Sequence, residues 1–203
     1  MKYRFHFLIM VVIVGILSTL LHEFGHCAFY WLQGIHAGMS LTKEFPLRDI
    51  TSHQYAVGSA GGPIINIILI LVASFLVSRY RKKTITWTIF SAVIVTNVFY
   101  LVVRSFLALL KRRGGELGSA GNLIGLEYFV VAILFLLIAV AALLFWMRRF
   151  TIRSSLRNGA YGLLLFIIYF ASLLVIQSID SKLFWHRFPS VQIDDGRVYN
   201  ERR

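Results

Sequence analysis

His22, Glu23 and His26 stand in the order H-E-x-x-H, inside a run of residues that is otherwise mostly hydrocarbon. On an α-helix, positions i and i+4 share one face, so the two imidazoles can reach one metal ion. Glu23 sits beside them, where its carboxylate can take a proton from a water that the metal polarises. Two imidazoles and one carboxylate at this spacing are the parts of a zinc hydrolase on a single helical turn. Ionisable side chains within a membrane span are costly, and they are as a rule functional. The plainer alternative is a histidine pair hydrogen-bonded inside a helix bundle.

A catalytic zinc takes three protein ligands, so a third is needed. Glu116 is the best placed. It lies in Gly114-Gly115-Glu116-Leu117-Gly118-Ser119-Ala120-Gly121, just after the third apolar run. Glycines there suit a sharp, non-helical turn at membrane depth, lining a cavity. The plain alternative is a solvated glutamate in a polar loop. His53 is the next candidate, and Glu127 and Asp49 follow. His6, His36 and His186 read as incidental. Cys27 adjoins His26 but points about 100° away on a helix, and reads as a packing residue.

Ser59-Ala60-Gly61-Gly62-Pro63-Ile64-Ile65-Asn66 opens the second apolar run. Small residues permit close helix approach, and Pro63 suits a first helical turn. Asn66 is then a buried amide that could hold a substrate backbone or a developing oxyanion, or join two helices. Asn97 has the same two readings. Arg104 either snorkels to the interface or pairs with Glu116.

The elements that must position these residues are membrane spans. The chain has 203 residues, 58% hydrophobic and 15% charged, with a mean hydropathy of +0.72. That composition is a polytopic membrane protein and not a soluble globule. The net charge is +12. The basic residues gather at the ends of apolar runs, which marks topology and not nucleic-acid binding. The single cysteine excludes an intramolecular disulfide framework.

About five spans are expected, near Phe5–Leu32, Ala56–Val77, Ile85–Leu110, Tyr128–Met147 and Ala160–Ile176. The first reads as an uncleaved signal-anchor. The expected fold is an all-α membrane protein, a polytopic bundle with the active site between the first three helices. Residues 1–178 form the transmembrane domain and 179–203 a short polar tail. Lys2, Arg4, Arg79, Arg81, Lys82, Lys83, Arg148, Arg149, Arg153 and Arg157 fall on one side. Lys43, Arg48, Lys111, Arg112 and Arg113 fall on the other. This bias favours a cytoplasmic N-terminus and an outside C-terminus, and a compact five-span chain without extra domains is compatible with a bacterial inner membrane. The H-E-x-x-H then lies toward the same face as the 33–55 and 111–125 loops.

The combination resembles the site-2 protease family of membrane-embedded zinc metalloproteases. His22-Glu23-Phe24-Gly25-His26 carries the likeness on the first span. Gly62-Pro63-Ile64-Ile65-Asn66 is similar to the family's glycine-three-spacers-Asn element. Asn97 followed by Gly115-Glu116-Leu117-Gly118 is the closest match to the family's Asn and later Asp-Gly. It departs from that pattern in having Glu for Asp, no intervening proline and a longer spacing. The likeness covers roughly residues 16–122 and is to minimal members without a PDZ or CBS module. It implies one zinc per chain on His22, His26 and Glu116, Glu23 as general base, Asn66 as a substrate-holding amide, and a membrane protein as substrate. The implied activity is peptide hydrolysis in or near a transmembrane segment. The alternative from another class is a non-catalytic metal-binding scaffold or chaperone of the same fold. A metal transporter fits less well, because the last two spans offer almost no polar relay.

Overall fold

The structure, a computed structural model, describes residues 2–80, 84–111, 115–149 and 155–199. Arg81, Lys82, Lys83, Arg112, Arg113, Gly114 and Arg153, on which part of the topology and turn readings rest, lie outside the described residues. So do the side chains of Lys2, Arg4, Lys111, Arg149 and Arg157.

Six α-helices are present among the described residues: α1 Lys2–Leu32, α2 Ser52–Arg79, α3 Thr84–Lys111, α4 Gly115–Leu123, α5 Tyr128–Arg149 and α6 Ser155–Leu183. All but α4 are long and apolar enough to cross a membrane. The chain is an all-α bundle and a multi-pass membrane protein. At 1.5 Å per residue, α1 exceeds the ~30 Å hydrocarbon core by several turns, so it is longer than a perpendicular span requires.

Two expectations need correction. The second span begins four residues before Ala56, because Thr51 caps it. The Thr51 hydroxyl accepts from Gln54 N at 3.1 Å, and the Gln54 side chain accepts from Thr51 N at 3.0 Å. Pro63 is therefore inside the helix and not in its first turn. Its ring leaves the Ser59 carbonyl without a helical donor. The glycine-rich segment is also not an irregular turn. Gly115–Leu123 forms α4, with Glu116 in its first turn, where a carboxylate complements the helix dipole. Leu117 packs among Ala108, Val131 and Ala132, and this burial overrides the poor helix propensity of glycine.

The turn falls one step later, where Gly125 adopts φ 68°. Leu126 N donates to Gly121 O at 2.9 Å and Gly125 N to Asn122 O at 3.5 Å, which ends α4 in a Schellman motif. Gly34 ends α1 the same way, with φ 69° and Ile35 N donating to Tyr30 O at 3.0 Å.

Helices α1, α2 and α3 form the centre. Helix α5 covers α2 and α3 through Ala139 and Ala142 against Ile70, Ile94 and Leu101. Helix α6 covers α1 and α3 through Leu165 and Tyr169 against Val11, Val14 and Val95. Helices α1 and α2 touch backbone to backbone. A Cβ at Gly25 would meet Gly61 O at 2.7 Å, and one at Gly58 would enter the Tyr30 ring.

Past α1 the chain makes a hairpin, β1 Ala37–Met39 with β2 Glu44–Pro46. The segment after α6 folds back over it. Phe188 stacks on Phe45 with centroids 3.9 Å apart. A second small hairpin, β3 Val191–Gln192 with β4 Val198–Tyr199, joins the loop before α2 through an Ile50–Ile193 bridge.

Candidate metal centre

His22 and His26 lie one turn apart on the buried face of α1, exposed by 1% and 0%. Each presents Nδ1 to an oxygen acceptor. His26 Nδ1 is 2.9 Å from Gly58 O, and His22 Nδ1 is 3.3 Å from Asn66 Oδ1. The Gly62 N–H also points at His26 Nδ1, at 3.2 Å, but the shorter contact to Gly58 O favours a proton on that nitrogen; with a proton on each Nδ1, both Nε2 atoms are bare lone pairs. The two Nε2 atoms are 3.0 Å apart. Lone pairs facing at that distance repel unless a proton or a cation lies between them.

Glu116 completes the cluster from α4. Its Oε2 is 3.4 Å from His22 Nε2 and 4.0 Å from His26 Nε2. The three atoms could hold one metal ion. Metal bonds of about 2.0–2.1 Å at a tetrahedral angle set ligand atoms about 3.3 Å apart, and the observed spacings bracket that value. The donor set fits zinc: two imidazoles and a carboxylate, with both imidazoles oriented by oxygen atoms behind them. Gly62 supplies the room. A Cβ there would collide with both imidazole rings.

Arg104 Nη2 sits 3.2 Å from Glu116 Oε1, so of its two readings the ion pair is the one formed. Burial would push the Glu116 carboxyl up, but the Arg104 guanidinium beside it outweighs that and holds the group well below the usual carboxylate range. Glu116 retains 21% exposure and Arg104 43%, whereas the histidines are sealed. The centre therefore opens on the α3–α4 side.

Glu23 is buried at 4% exposure, and its Oε2 has no hydrogen-bond partner among the described residues. Ligand atoms of Glu23, His26 and Glu44 lie within 4.8 Å of one another. Glu44 reaches that position from β2. It is held by the Tyr199 hydroxyl, which donates to Glu44 Oε1 at 2.7 Å. Lys43, next to it, packs its ammonium over Trp185 at 4.6 Å and over Phe45 and Tyr199 at 5.3 Å. Burial among these rings lowers the lysine pKa.

Of the other candidates, His53 is exposed on the first turn of α2, Glu127 is exposed ahead of α5, and Asp49 accepts from Gln192 N at 2.6 Å. None joins the cluster. Cys27 is fully buried and donates to Gly38 O at 3.3 Å. Asn97 donates to Ser18 Oγ at 3.2 Å, one turn below the centre. Asn66 faces His22 and orients it.

Sequence reasoning missed Tyr100 and Glu44. Tyr100 Oη lies 2.7 Å from His22 Nε2 and donates to Glu116 Oε2 at 3.3 Å. A signal existed for it, since Asn97, Tyr100 and Arg104 share one face of α3 at helical spacing. Glu44 had no local signal, because only the hairpin brings it under α1.

Comparison with family models, with curated proteins and with solved structures returned no match. The fold and the site thus define a class: a multi-pass helical membrane protein with a buried H-E-x-x-H cluster.

Proposed function

We propose that this protein is a zinc-dependent intramembrane endopeptidase that cuts a peptide bond in or near a transmembrane segment of a membrane protein. One observation carries the reading. Two pinned imidazoles and Glu116 converge on one point, with a buried Glu23, one carboxylate oxygen of which has no partner among the described residues, beside His26.

His22, His26 and Glu116 would hold the ion, one per chain. Bound there, zinc supplies Lewis acidity toward water and the scissile carbonyl. Asn66 and the Gly58 carbonyl fix the imidazole tautomers. Glu23 takes a proton from water at its free carboxylate oxygen and returns it to the leaving amine. The sealed histidines exclude bulk water, and the half-open Glu116 edge admits substrate between α3 and α4. A substrate helix must unwind locally, because its carbonyls are already hydrogen-bonded. The loop charges favour a cytoplasmic N-terminus, and a compact five-span chain is compatible with a bacterial inner membrane.

One observation favours the scaffold alternative: Tyr100 Oη already stands at ligand-like distance from His22 and Glu116. A site closed by four protein ligands is the usual structural form. The test of the main reading is zinc analysis of the detergent-purified protein together with cleavage of a membrane substrate by wild type and Glu23→Gln. One zinc per chain and cleavage lost only in the variant support a peptidase. Zinc without any Glu23-dependent cleavage supports the scaffold.

A further inference from the structure

We propose that Tyr100 is an exchangeable fourth ligand, its phenolic oxygen closing the centre at rest and leaving when a carbonyl-bearing ligand enters. This rests on the metal-centre reading above. Four side-chain atoms of this chain meet at one place: His22 Nε2, His26 Nε2, Glu116 Oε2 and Tyr100 Oη. Five of their mutual spacings are 2.7, 3.0, 3.3, 3.4 and 4.0 Å. These bracket the ~3.3 Å edge of a tetrahedral donor set. Tyr100 Oη is thus as close to His22 Nε2 and to Glu116 Oε2 as those two atoms are to each other.

Its surroundings suit a ligand that binds and lets go. Arg104 Nε donates to Tyr100 Oη at 2.9 Å, and the guanidinium carbon lies 5.1 Å from the ring centroid. A cationic donor behind the oxygen favours negative charge on it. The hydroxyl proton has two acceptors in the metal-free site, His22 Nε2 and Glu116 Oε2. Both are lone pairs that a metal would claim. On metal uptake the phenolic O–H bond breaks, the oxygen–metal bond forms, and the proton passes to bulk water. When the phenol leaves, it recovers a proton from water. Arg104 keeps a carboxylate partner in Glu116 Oε1 at 3.2 Å, so releasing Tyr100 strands no charge. Helix α3 holds Tyr100 at the α3–α4 edge where the centre opens. The phenol and an incoming substrate therefore compete for the same side.

The experiment is copper(II) reconstitution of the full-length protein in detergent, with visible absorption and metal content measured together. Phenolate bound to copper(II) gives an intense charge-transfer band that imidazole and carboxylate do not. We expect one copper per chain with the band in wild type, bleaching on addition of a peptide hydroxamate. In Tyr100→Phe we expect copper retained and the band gone. Copper bound without a band in wild type overturns the tyrosine ligand and leaves the metal centre standing. A band that survives in Tyr100→Phe, or under saturating hydroxamate, also overturns the proposal. Failure to bind any copper or zinc overturns both readings. The wild-type spectrum decides the matter even if the variant does not fold.

Discussion

Ser40 Oγ donates to Asp180 Oδ2 at 2.7 Å across 140 residues of sequence. The same carboxylate accepts from Thr42 N at 3.0 Å, Thr42 Oγ1 at 2.7 Å, Trp185 Nε1 at 3.0 Å and, through Oδ1, Leu41 N at 3.1 Å. Five donors converge on one fully buried acid. Asp180→Ala would leave them without it, at a cost of about 2–4 kcal/mol. Thermal unfolding in detergent should show a clearly lower midpoint. An unchanged midpoint would mean that the hairpin does not depend on this contact.

Glu23→Gln keeps size and removes the proposed base. Cleavage should fall by at least about 10²–10⁴-fold, the usual worth of a general base, while zinc content stays at the wild-type level. Residual cleavage near wild type would remove Glu23 from the chemistry.

The residues behind the imidazoles give a graded prediction. Asn66→Ala frees His22 Nδ1, and Gly62→Ala pushes a methyl group into both rings. Each should weaken zinc binding by about 10–100-fold, read by competition with a chelator of known affinity. Wild-type affinity in both variants would mean that the rings are oriented by other contacts.

Glu116 predicts acid sensitivity of the metal-free protein. Its folded-state pKa is depressed, so its stabilising pairing with Arg104 is fully present above the ordinary glutamate value of about 4.3 and lost as pH falls below it. Stability should therefore decline from about pH 5 downward. Glu116→Gln should be less stable near neutrality and should show a shallower acid slope. Parallel acid curves for the two proteins would contradict the ion pair.

How much of this was legible in the sequence depends on the range of the interaction. The five spans follow from apolar run length, a local property. The i, i+4 placement of His22 and His26 follows from helix period alone. Glu116 was legible as one of few acids near a span end. Its helix was not, because glycine propensity argues for a turn and only the packing of Leu117 reverses it. The position of Pro63 was misjudged because the polar Ser52–Tyr55 turn lies outside the apolar run, although the Thr51–Gln54 capping box is visible in the sequence. Glu44, Asp180 and Tyr199 carry no local pattern that marks them. Each matters through a partner more than a hundred residues away or through a hairpin.

That separation orders events during synthesis. A chain translated only through α5 already holds His22, Glu23, His26 and Glu116, yet Asp180 and Tyr199 have not been made. The hairpin carrying Glu44 is then tied to α1 through Cys27 and Gly38 but lacks the contacts from Asp180 and Tyr199 that hold its turn and the Glu44 carboxylate. A nascent molecule of this protein would remain chemically unfinished in the translocon until its final span and the segment beyond it arrive.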